Sequence, residues 1–330
     1  MQYEEKTLLV TGGAGFIGSN FIHYLMSMDQ NINIINIDAL TYAANLENIS
    51  CFNDSKNYSF FKSSICDKKG VSDVIEKFSP DIIVNFAAES HVDRSITDPD
   101  IFLTTNVLGT HNLLNAAERH GIDKFIQIST DEVYGTLGDM GYFTEGSQLS
   151  PSSPYSASKA AADMVVLSYF KTYDLPVNIT RCSNNYGPYQ HTEKLIPLVI
   201  SKCLKKEAIP VYGDGLNIRD WLYVDDHCSA ICNVINNGKI GDVYNIGANN
   251  EIRNIDLVRK IISCLNDKLP SLNLSYDLIR YVSDRKGHDR RYAIDSTKIR
   301  NDLGWKPTVN FDEGLNRTVD WYLKFFNISI

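Results

Sequence analysis

The sequence contains no long apolar run and no excess of positive charge. A membrane-spanning helix needs about 18 or more consecutive apolar residues, and no stretch of the 330-residue chain approaches that length. Residues 1–6 are polar and include two glutamates, which is atypical of a signal peptide. The net charge of −8 argues against electrostatic binding to nucleic acid. We therefore expect a cytoplasmic protein with neither a membrane nor a nucleic-acid partner.

The cysteines lack the spacing of a disulfide framework or a metal site. There are seven of them, an odd number, and no two form a Cys-x-x-Cys pair. Cys228 and Cys232 lie at helical spacing beside His227, but no second pair of ligands accompanies them. We therefore predict reduced, mostly buried thiols and no metal site.

Short apolar runs alternate with segments of helical length in the first half of the chain. The runs are often β-branched, which is typical of buried strands. The predicted strands are 8–10, 34–37, 58–61, 82–86, 125–128 and 177–180. The predicted helices between them are 16–27, 68–78, 101–120 and 154–173. This alternation indicates an α/β protein with a Rossmann-type, doubly wound parallel sheet.

The second half keeps strands and helices but loses the regular alternation. A chain of this length favours two lobes. We predict a sheet domain over residues 1–181 and a smaller α/β lobe over 182–330, with segments exchanged because no linker marks the boundary. In the second lobe the predicted strands are near 210–212 and 243–246, and the helices near 195–205, 225–236, 254–265 and 312–325.

A glycine motif follows the first predicted strand. Gly12, Gly15 and Gly18 are spaced three apart between a strand and a helix. This spacing permits a tight turn, a close approach of a pyrophosphate and tight packing of the helix on the strand. The amides at the helix N-terminus then face the phosphates. Asp38 ends the second strand about 20 residues later, where a carboxylate binds a ribose 2′-hydroxyl and repels a 2′-phosphate, so we predict NAD rather than NADP.

Two clusters carry the predicted chemistry. Tyr155 and Lys159 lie four apart at the start of a helix, on one face, where the ammonium is expected to lower the pKa of the phenol and make it a base. Thr130, Asp131 and Glu132 follow the strand 125–128, at the sheet edge where ligands bind. Two adjacent carboxyls there raise the pKa of at least one of them, which yields an acid and a base.

These motifs resemble those of the extended short-chain dehydrogenase/reductases and, more narrowly, of the dTDP-glucose 4,6-dehydratase family. The similarity runs from residue 11 to Pro307. The stretches that carry it are 38–43, 87–95, 129–135, 151–159, 182–188, 193–197, 219–221 and 284–292.

The resemblance implies a three-step reaction with NAD as the cofactor. Tyr155 takes the proton of the sugar 4-hydroxyl, assisted by Thr130, while hydride passes from C4 to NAD. Glu132 then removes the C5 proton and Asp131 protonates the departing 6-hydroxyl. Finally the hydride returns to C6, so that NAD is regenerated in each turnover.

The resemblance also implies binding residues and a homodimer. Lys194 and Arg219 are suited to neutralising a diphosphate in an acidic protein. Helices 101–120 and 154–173 are those through which members of the family dimerise. The implied cofactor contacts are Gly12, Gly15, Phe16, Ile17, Gly18, Asp38, Ala39, Leu40, Thr41, Ser64, Ile65, Ala87, Ala88, Ser90, Thr105, Tyr155, Lys159 and Asn185. The implied substrate contacts are Ser90, Thr130, Asn184, Lys194, Leu195, Pro210, Tyr212, Arg219, Asn254, Asp284, Arg285 and His288.

Two features of the sequence depart from the family pattern, and the motifs also leave alternative functions open. Ser64 stands where an aspartate that contacts adenine is usual, with Asp67 near, and the segment 136–149 is short. A UDP-glucose 4,6-dehydratase is the alternative closest in chemistry. A nucleotide-sugar 4-epimerase has no use for an acid and a base at C5 and C6, and a non-catalytic protein of this fold has no use for Tyr155 and Lys159.

Overall fold

The computed structural model describes residues 6–28 and 31–328. Residues 1–5, which form most of the polar N-terminal segment discussed above, lie outside the described residues. Within the described part of the chain, no helix is both long and apolar enough to cross a membrane.

Seven parallel strands form the central sheet. Their order is β10-β6-β5-β4-β1-β2-β3, and every neighbouring pair is parallel. The predicted Rossmann-type, doubly wound sheet is confirmed by this order. The strands of the chain are β1 Thr7–Thr11, β2 Asn33–Asp38, β3 Tyr58–Lys62, β4 Ile82–Asn85, β5 Lys124–Thr130, β6 Val177–Cys182, β7 Asn184–Tyr186, β8 Ile209–Tyr212, β9 Ile218–Tyr223, β10 Val243–Ile246, β11 Glu251–Arg253 and β12 Ile279–Val282.

Helices cover both faces of this sheet. Leu8 and Val10 pack in one core with α1 and α8, whereas Leu9 points the other way, into a core with α2, α5 and α6, because side chains alternate along a strand. The helices are α1 Phe16–Met28, α2 Lys68–Phe78, α3 Val92–Thr97, α4 Asp100–Phe102, α5 Thr110–His120, α6 Pro154–Tyr173, α7 Leu195–Leu204, α8 Val224–Asn237, α9 Asn254–Lys268, α10 Thr297–Leu303 and α11 Phe311–Phe325.

A third core lies around α7, α9 and α11, with small sheets of order β11-β9-β7 and β12-β8. The strand β10 follows residue 181 in the chain but pairs with β6 in the central sheet. The division at residue 181 stays a prediction, and β10 is a segment that an exchange between lobes would have to include.

The predicted helix 101–120 is interrupted by a wide turn. Residues Leu103–Gly109 form a π-helix between α4 and α5. Asn106, in this turn, is buried, and its side chain bonds the backbone of Glu89 and the hydroxyl of Ser158. These bonds stabilise the wider turn of the π-helix. π-helical turns are often found at functional sites.

The short elements β7, β9, β11, β12, α3 and α10 were not predicted. They have three to seven residues each, too few for a clear hydrophobic period. In addition, β9 contains buried Arg219 and Asp220, so its composition does not resemble that of a core strand.

Candidate active site

A cavity of about 320 Å³ opens at the carboxyl ends of the central strands. This is where ligands bind in open α/β sheets. The lining brings together most of the predicted cofactor residues and the whole predicted catalytic cluster. The predicted residues that line it are Gly12, Gly15, Phe16, Ile17, Gly18, Asp38, Ala39, Thr41, Ser64, Ile65, Ala87, Ala88, Ser90, Thr105, Thr130, Asp131, Glu132, Tyr155, Lys159, Asn184, Asn185 and Lys194.

The glycine turn is tightly packed on two sides and open on the third. Gly12 has φ +72°, and a Cβ there would lie 2.7 Å from the backbone nitrogen of Ala87. A Cβ on Gly18 would lie 2.3 Å from the carbonyl oxygen of Gly12. Gly15 faces the cavity, where its Cβ would meet only that same oxygen, at 3.3 Å. The turn therefore fits the close approach of a pyrophosphate, as the glycine spacing predicts.

Asp38 ends β2 at the cavity wall and is almost fully buried. Its Oδ2 accepts from the amide of Ala14 at 2.9 Å, and its Oδ1 accepts from the amide of Leu40 at 2.8 Å. Burial raises its pKa, and the two backbone bonds oppose that shift. Each carboxylate oxygen retains a lone pair for a further donor, so the residue fits a ribose hydroxyl.

Two residues that the sequence suggested for the cofactor site, Leu40 and Asp67, lie outside the cavity lining. Leu40 does not line the cavity, because its side chain packs against the core that contains α1. Ser64 lines the cavity, but Asp67 does not. The Asp67 carboxylate caps α2 and accepts from the amides of Lys69 and Gly70.

Helix α6 carries Tyr155 and Lys159 into the cavity. Ser153 caps the helix with a reciprocal bond to Ser156. Lys159 is buried, and its Nζ donates to the carbonyl of Ile128 at 2.6 Å. The expected lowering of the Tyr155 pKa is wrong for this structure: burial, and then the charge of Glu132, raise it, and burial lowers the pKa of Lys159. Helical spacing does not report desolvation, which is the largest cause of the shift at Tyr155.

Thr130 is the last residue of β5, and Asp131 and Glu132 follow it directly. Asp131 accepts from the Thr130 hydroxyl at 3.3 Å, and its other oxygen has no hydrogen-bond partner among the described residues. Burial, followed by the charge of Glu132, raises the pKa of Asp131 well above its usual range. Burial also raises the pKa of Glu132, but Arg285, Arg219 and Lys194 oppose that shift. The two neighbouring carboxyls therefore have different electrostatic environments.

The predicted substrate residues fall into two groups. Ser90, Thr130, Asn184 and Lys194 line the cavity, and Lys194 Nζ donates to the Ser90 carbonyl at 3.1 Å. The other group lies outside the lining and comes from scattered elements. Its members are Leu195 in α7, Pro210 and Tyr212 in β8, Arg219 in β9, Asn254 in α9, and Asp284, Arg285 and His288 in the segment after β12.

Part of the second group nevertheless acts on the cavity. Arg219 and Arg285 are close enough to Glu132 to lower its pKa. His288 Nδ1 lies 2.6 Å from Asp284 Oδ1, and its ring is near that of Tyr212. Of this group, Arg219 and Arg285 act on Glu132, and the roles of all its members as substrate ligands stay predictions.

Several lining residues had no predicted role. Glu89 and Glu193 are acidic, and Glu193 Oε2 lies 3.5 Å from His91 Nε2. Both glutamates belong to stretches that carry the family resemblance, so that similarity was the available signal. The others lie mostly in the last residues of strands or just after them, and are Ile37, Ala43, Ala44, Ser63, Phe86, Ile128, Ser129, Cys182, Ser183, Gln190 and His191.

Comparisons with known proteins agree with this geometry. The family model described as GDP-mannose 4,6 dehydratase matches residues 9–318. A probable dTDP-glucose 4,6-dehydratase of Sinorhizobium fredii is 50% identical over 96% of this chain and 93% of the relative. A dTDP-glucose 4,6-dehydratase of Escherichia coli K12 is 47% identical over 96% of this chain and 92% of the relative. The chain belongs to the dTDP-glucose 4,6-dehydratase family.

Solved structures show the same relationship. A Bacillus anthracis dTDP-glucose 4,6-dehydratase in complex with NAD superposes with a TM-score of 0.89 at 50% identity, over 97% of each chain. A Streptomyces venezuelae dTDP-glucose 4,6-dehydratase with NAD and TYD bound has a TM-score of 0.90 at 46% identity, over 96% of this chain and 97% of that one. A Thermotoga maritima UDP-glucose 4-epimerase reaches 0.86 at 29% identity, over 97% and 99%. Because an epimerase shares the scaffold, the site residues must distinguish the two reactions.

Proposed function

We propose that the chain is an NAD-dependent hydro-lyase that converts dTDP-glucose to dTDP-4-keto-6-deoxyglucose. The observation that carries the proposal is the buried Asp131 beside the half-buried Glu132, in one cavity with Tyr155 and Lys159. A 4-epimerase needs no acid and base at C5 and C6. The names of the relatives and of the solved neighbours support the same reaction.

The glycine turn and Asp38 are the proposed cofactor-binding features. The open side of Gly15 fits a pyrophosphate, and the free lone pairs of Asp38 fit the ribose hydroxyls. When bound, NAD supplies hydride chemistry by accepting the C4 hydride and returning it to C6. Two structural neighbours contain NAD, which supports this cofactor.

Tyr155 is the proposed base for the sugar 4-hydroxyl, and Thr130 donates a hydrogen bond to that oxygen. Burial and the charge of Glu132 raise the pKa of the phenol, so forming the phenolate requires compensating positive charge. Lys159 lies one helical turn from Tyr155 and is held by its bond to the Ile128 carbonyl. Its ammonium supplies part of that charge.

Asp131 and Glu132 are the proposed acid and base of the elimination. Glu132, whose rise in pKa is opposed by three cationic side chains, takes the proton from C5. The resulting electron pair forms the C5–C6 double bond as the C6–O bond breaks. Asp131, whose pKa is raised well above its usual range, keeps the proton that this oxygen needs to leave as water. Unequal environments thus assign different roles to adjacent carboxyls.

Lys194, Arg219 and Arg285 are proposed to bind the diphosphate of the substrate. Burial lowers the pKa of both Lys194 and Arg219, and a buried cation needs a counter-charge. A substrate diphosphate would provide it. The thymine base is supported by the names of the relatives, and UDP-glucose is the alternative substrate.

Three further proposals concern the two lobes, the oligomeric state and the cellular location. We assign NAD binding to residues 1–181 and nucleotide-sugar binding mainly to 182–330. A homodimer through the 101–120 and 154–173 helices is supported by exposed apolar side chains there, including Leu103, Leu108 and Met164. Free cysteines are consistent with a cytoplasmic location.

The proposal is tested by incubating the protein with dTDP-glucose and no added NADH. A 4-keto-6-deoxy product, detected by its absorbance in alkali, is expected. A mixture of glucose and galactose epimers would contradict the proposal. A parallel kinetic comparison with UDP-glucose decides the base: a higher kcat/KM for dTDP-glucose is expected, and the reverse would identify a UDP-glucose dehydratase.

A further inference from the structure

We propose that Asp289 is a positioning residue that ties the segment carrying Arg285 and His288 to the start of helix α6, and thereby sets the position of Tyr155. The inference rests on the proposed roles of those residues in catalysis and substrate binding. Asp289 lies just beyond the predicted substrate segment.

The Asp289 carboxylate joins two parts of the site. Its Oδ1 accepts from the hydroxyl of Ser152 at 2.6 Å, and its Oδ2 accepts from the hydroxyl of Tyr292. Ser152 directly precedes Ser153, the N-cap of α6, and Tyr155 is the second residue of that helix. Asp289 is only 6% exposed, so water cannot easily replace these bonds.

The backbone around Asp289 adds two further links. Its carbonyl accepts from Arg219 Nη2 at 2.9 Å and from Asn217 Nδ2 at 3.1 Å. Gly287 has φ +64°, and a Cβ there would lie 2.7 Å from the Ser152 carbonyl oxygen. The substrate segment therefore packs directly on the residue that leads into α6.

These contacts join the placement of the substrate segment to that of Tyr155. A shift of the segment would pull on Ser152 and move the phenol relative to the sugar. A misplacement of about 1 Å reduces a rate by about 100-fold. The charge of Asp289 also contributes to the raised pKa of Glu132, so the residue influences the base as well.

The test is a double-mutant cycle with Ser152→Ala and Asp289→Ala. We expect Ser152→Ala to lower kcat by about 10-fold, an intermediate fraction of that misplacement effect, with little change in the KM for the nucleotide sugar. Asp289→Ala is expected to lower kcat and raise KM. Because both changes break one link, the double variant should have the kcat of Asp289→Ala alone. The rate of bound NAD reduction after mixing with substrate should fall in proportion to kcat.

Two further variants separate positioning from general damage. Asp289→Asn keeps the shape and can donate to Ser152, so it should recover part of the kcat lost in Asp289→Ala. Thr136→Val removes another tether of the same segment, the Thr136 hydroxyl that accepts from the Arg290 amide at 3.0 Å but does not lead to α6. It should retain kcat within about 2-fold, since such surface changes have small effects.

The proposal is overturned by an unchanged kcat in Ser152→Ala, by multiplicative losses in the double variant, or by an equal loss in Thr136→Val. Ser152→Ala alone decides the matter if the Asp289 variants do not fold. An assay of the wild-type protein distinguishes a failure of the proposed function from a failure of the role of Asp289. If it forms no 4-keto-6-deoxy product, the proposed function fails, whereas product formation with a negative cycle removes only the role of Asp289.

Discussion

The cofactor wall of the cavity consists largely of backbone and small side chains, whereas the substrate wall consists of charged side chains. The cofactor wall is defined here by the glycine turn at 12–18 and Asp38, which accepts two backbone amides. The substrate wall is defined here by Asp131, Glu132 and Lys194, which line the cavity, and by Arg219 and Arg285, which lie outside the lining but oppose the rise in the pKa of Glu132. We therefore expect shape to select the ligand on the cofactor wall and electrostatics to select it on the substrate wall.

This difference predicts different responses to substitution. On the cofactor wall a single added methyl group collides with backbone atoms and reduces binding and stability together. On the substrate wall the loss of a charge leaves the fold largely intact but changes protonation, and hence the rate and its pH dependence.

The largest effect is expected from Glu132→Gln. The amide cannot take the C5 proton, so kcat should fall by about 10²–10⁴-fold, the usual contribution of a general base. Bound NAD should still be reduced on mixing with substrate, because that step precedes elimination. Solvent deuterium should no longer enter at C5, as measured by NMR. Asp131→Asn serves as the partner variant and should retain C5 exchange while losing water release; exchange that persists in Glu132→Gln would mean that another residue is the base.

Gly18→Ala should damage the cofactor wall by overpacking. The added Cβ would lie 2.3 Å from the Gly12 carbonyl oxygen and 2.9 Å from Gly13 Cα. Overpacking of this kind costs about 1–3 kcal/mol, so NAD affinity should fall about 10-fold or more and the unfolding midpoint should drop. Calorimetry and thermal unfolding measure the two effects. Gly138→Ala is the control, since its Cβ meets nothing within 4 Å; wild-type affinity in Gly18→Ala would show that the turn is not rigid.

Arg285→Ala should change the pH dependence without unfolding the protein. The positive charge of Arg285 opposes the rise in the pKa of Glu132 that burial causes, so its removal raises that pKa further. A base works only when ionised, and the acid limb of the kcat/KM profile should therefore move to higher pH. KM should rise about 10-fold, as for the loss of one charge-assisted hydrogen bond. Arg290→Ala is the matched control, because the Arg290 guanidinium is exposed and paired with Asp214 at 2.8 Å. An acid limb that stays in place in Arg285→Ala would contradict the proposed electrostatics.

The smallest effect is expected from Asp38→Ala. The preference for NAD over NADP should fall about 10-fold, since a hydrogen bond to a charged group contributes about 1.5–3 kcal/mol. The ratio of the two dissociation constants measures this. Asp67→Ala should lose about 1 kcal/mol of stability as a helix cap and keep the preference. If Asp38→Ala also keeps it, another group reads the ribose.

The parts of the site that depend on local contacts could be placed from the sequence. The glycine spacing and the position of Asp38 predict the cofactor wall because one strand, turn and helix contain nearly all of it. The same holds for Tyr155 and Lys159, which lie one helical turn apart. These features depend on short-range geometry, and each lines the cavity.

The parts of the site that depend on burial or on distant segments could not be placed from spacing alone. Arg219 and Arg285 reach Glu132 from β9 and from the segment after β12, and no spacing rule connects them, so only the resemblance named them. The pKa of Tyr155 was misjudged because spacing shows its lysine neighbour but not its desolvation. In the π-helix before α5, Asn106 bonds Glu89 and Ser158, which are distant in sequence, so no local pattern predicts this turn.

The central claim, oxidation at C4 followed by elimination and hydride return to C6, is tested most directly by dTDP-glucose labelled with deuterium at C4. We expect NMR of the product to find the label at C6, with NAD unchanged in amount. Label that returns to C4, or that is lost to solvent, would contradict it.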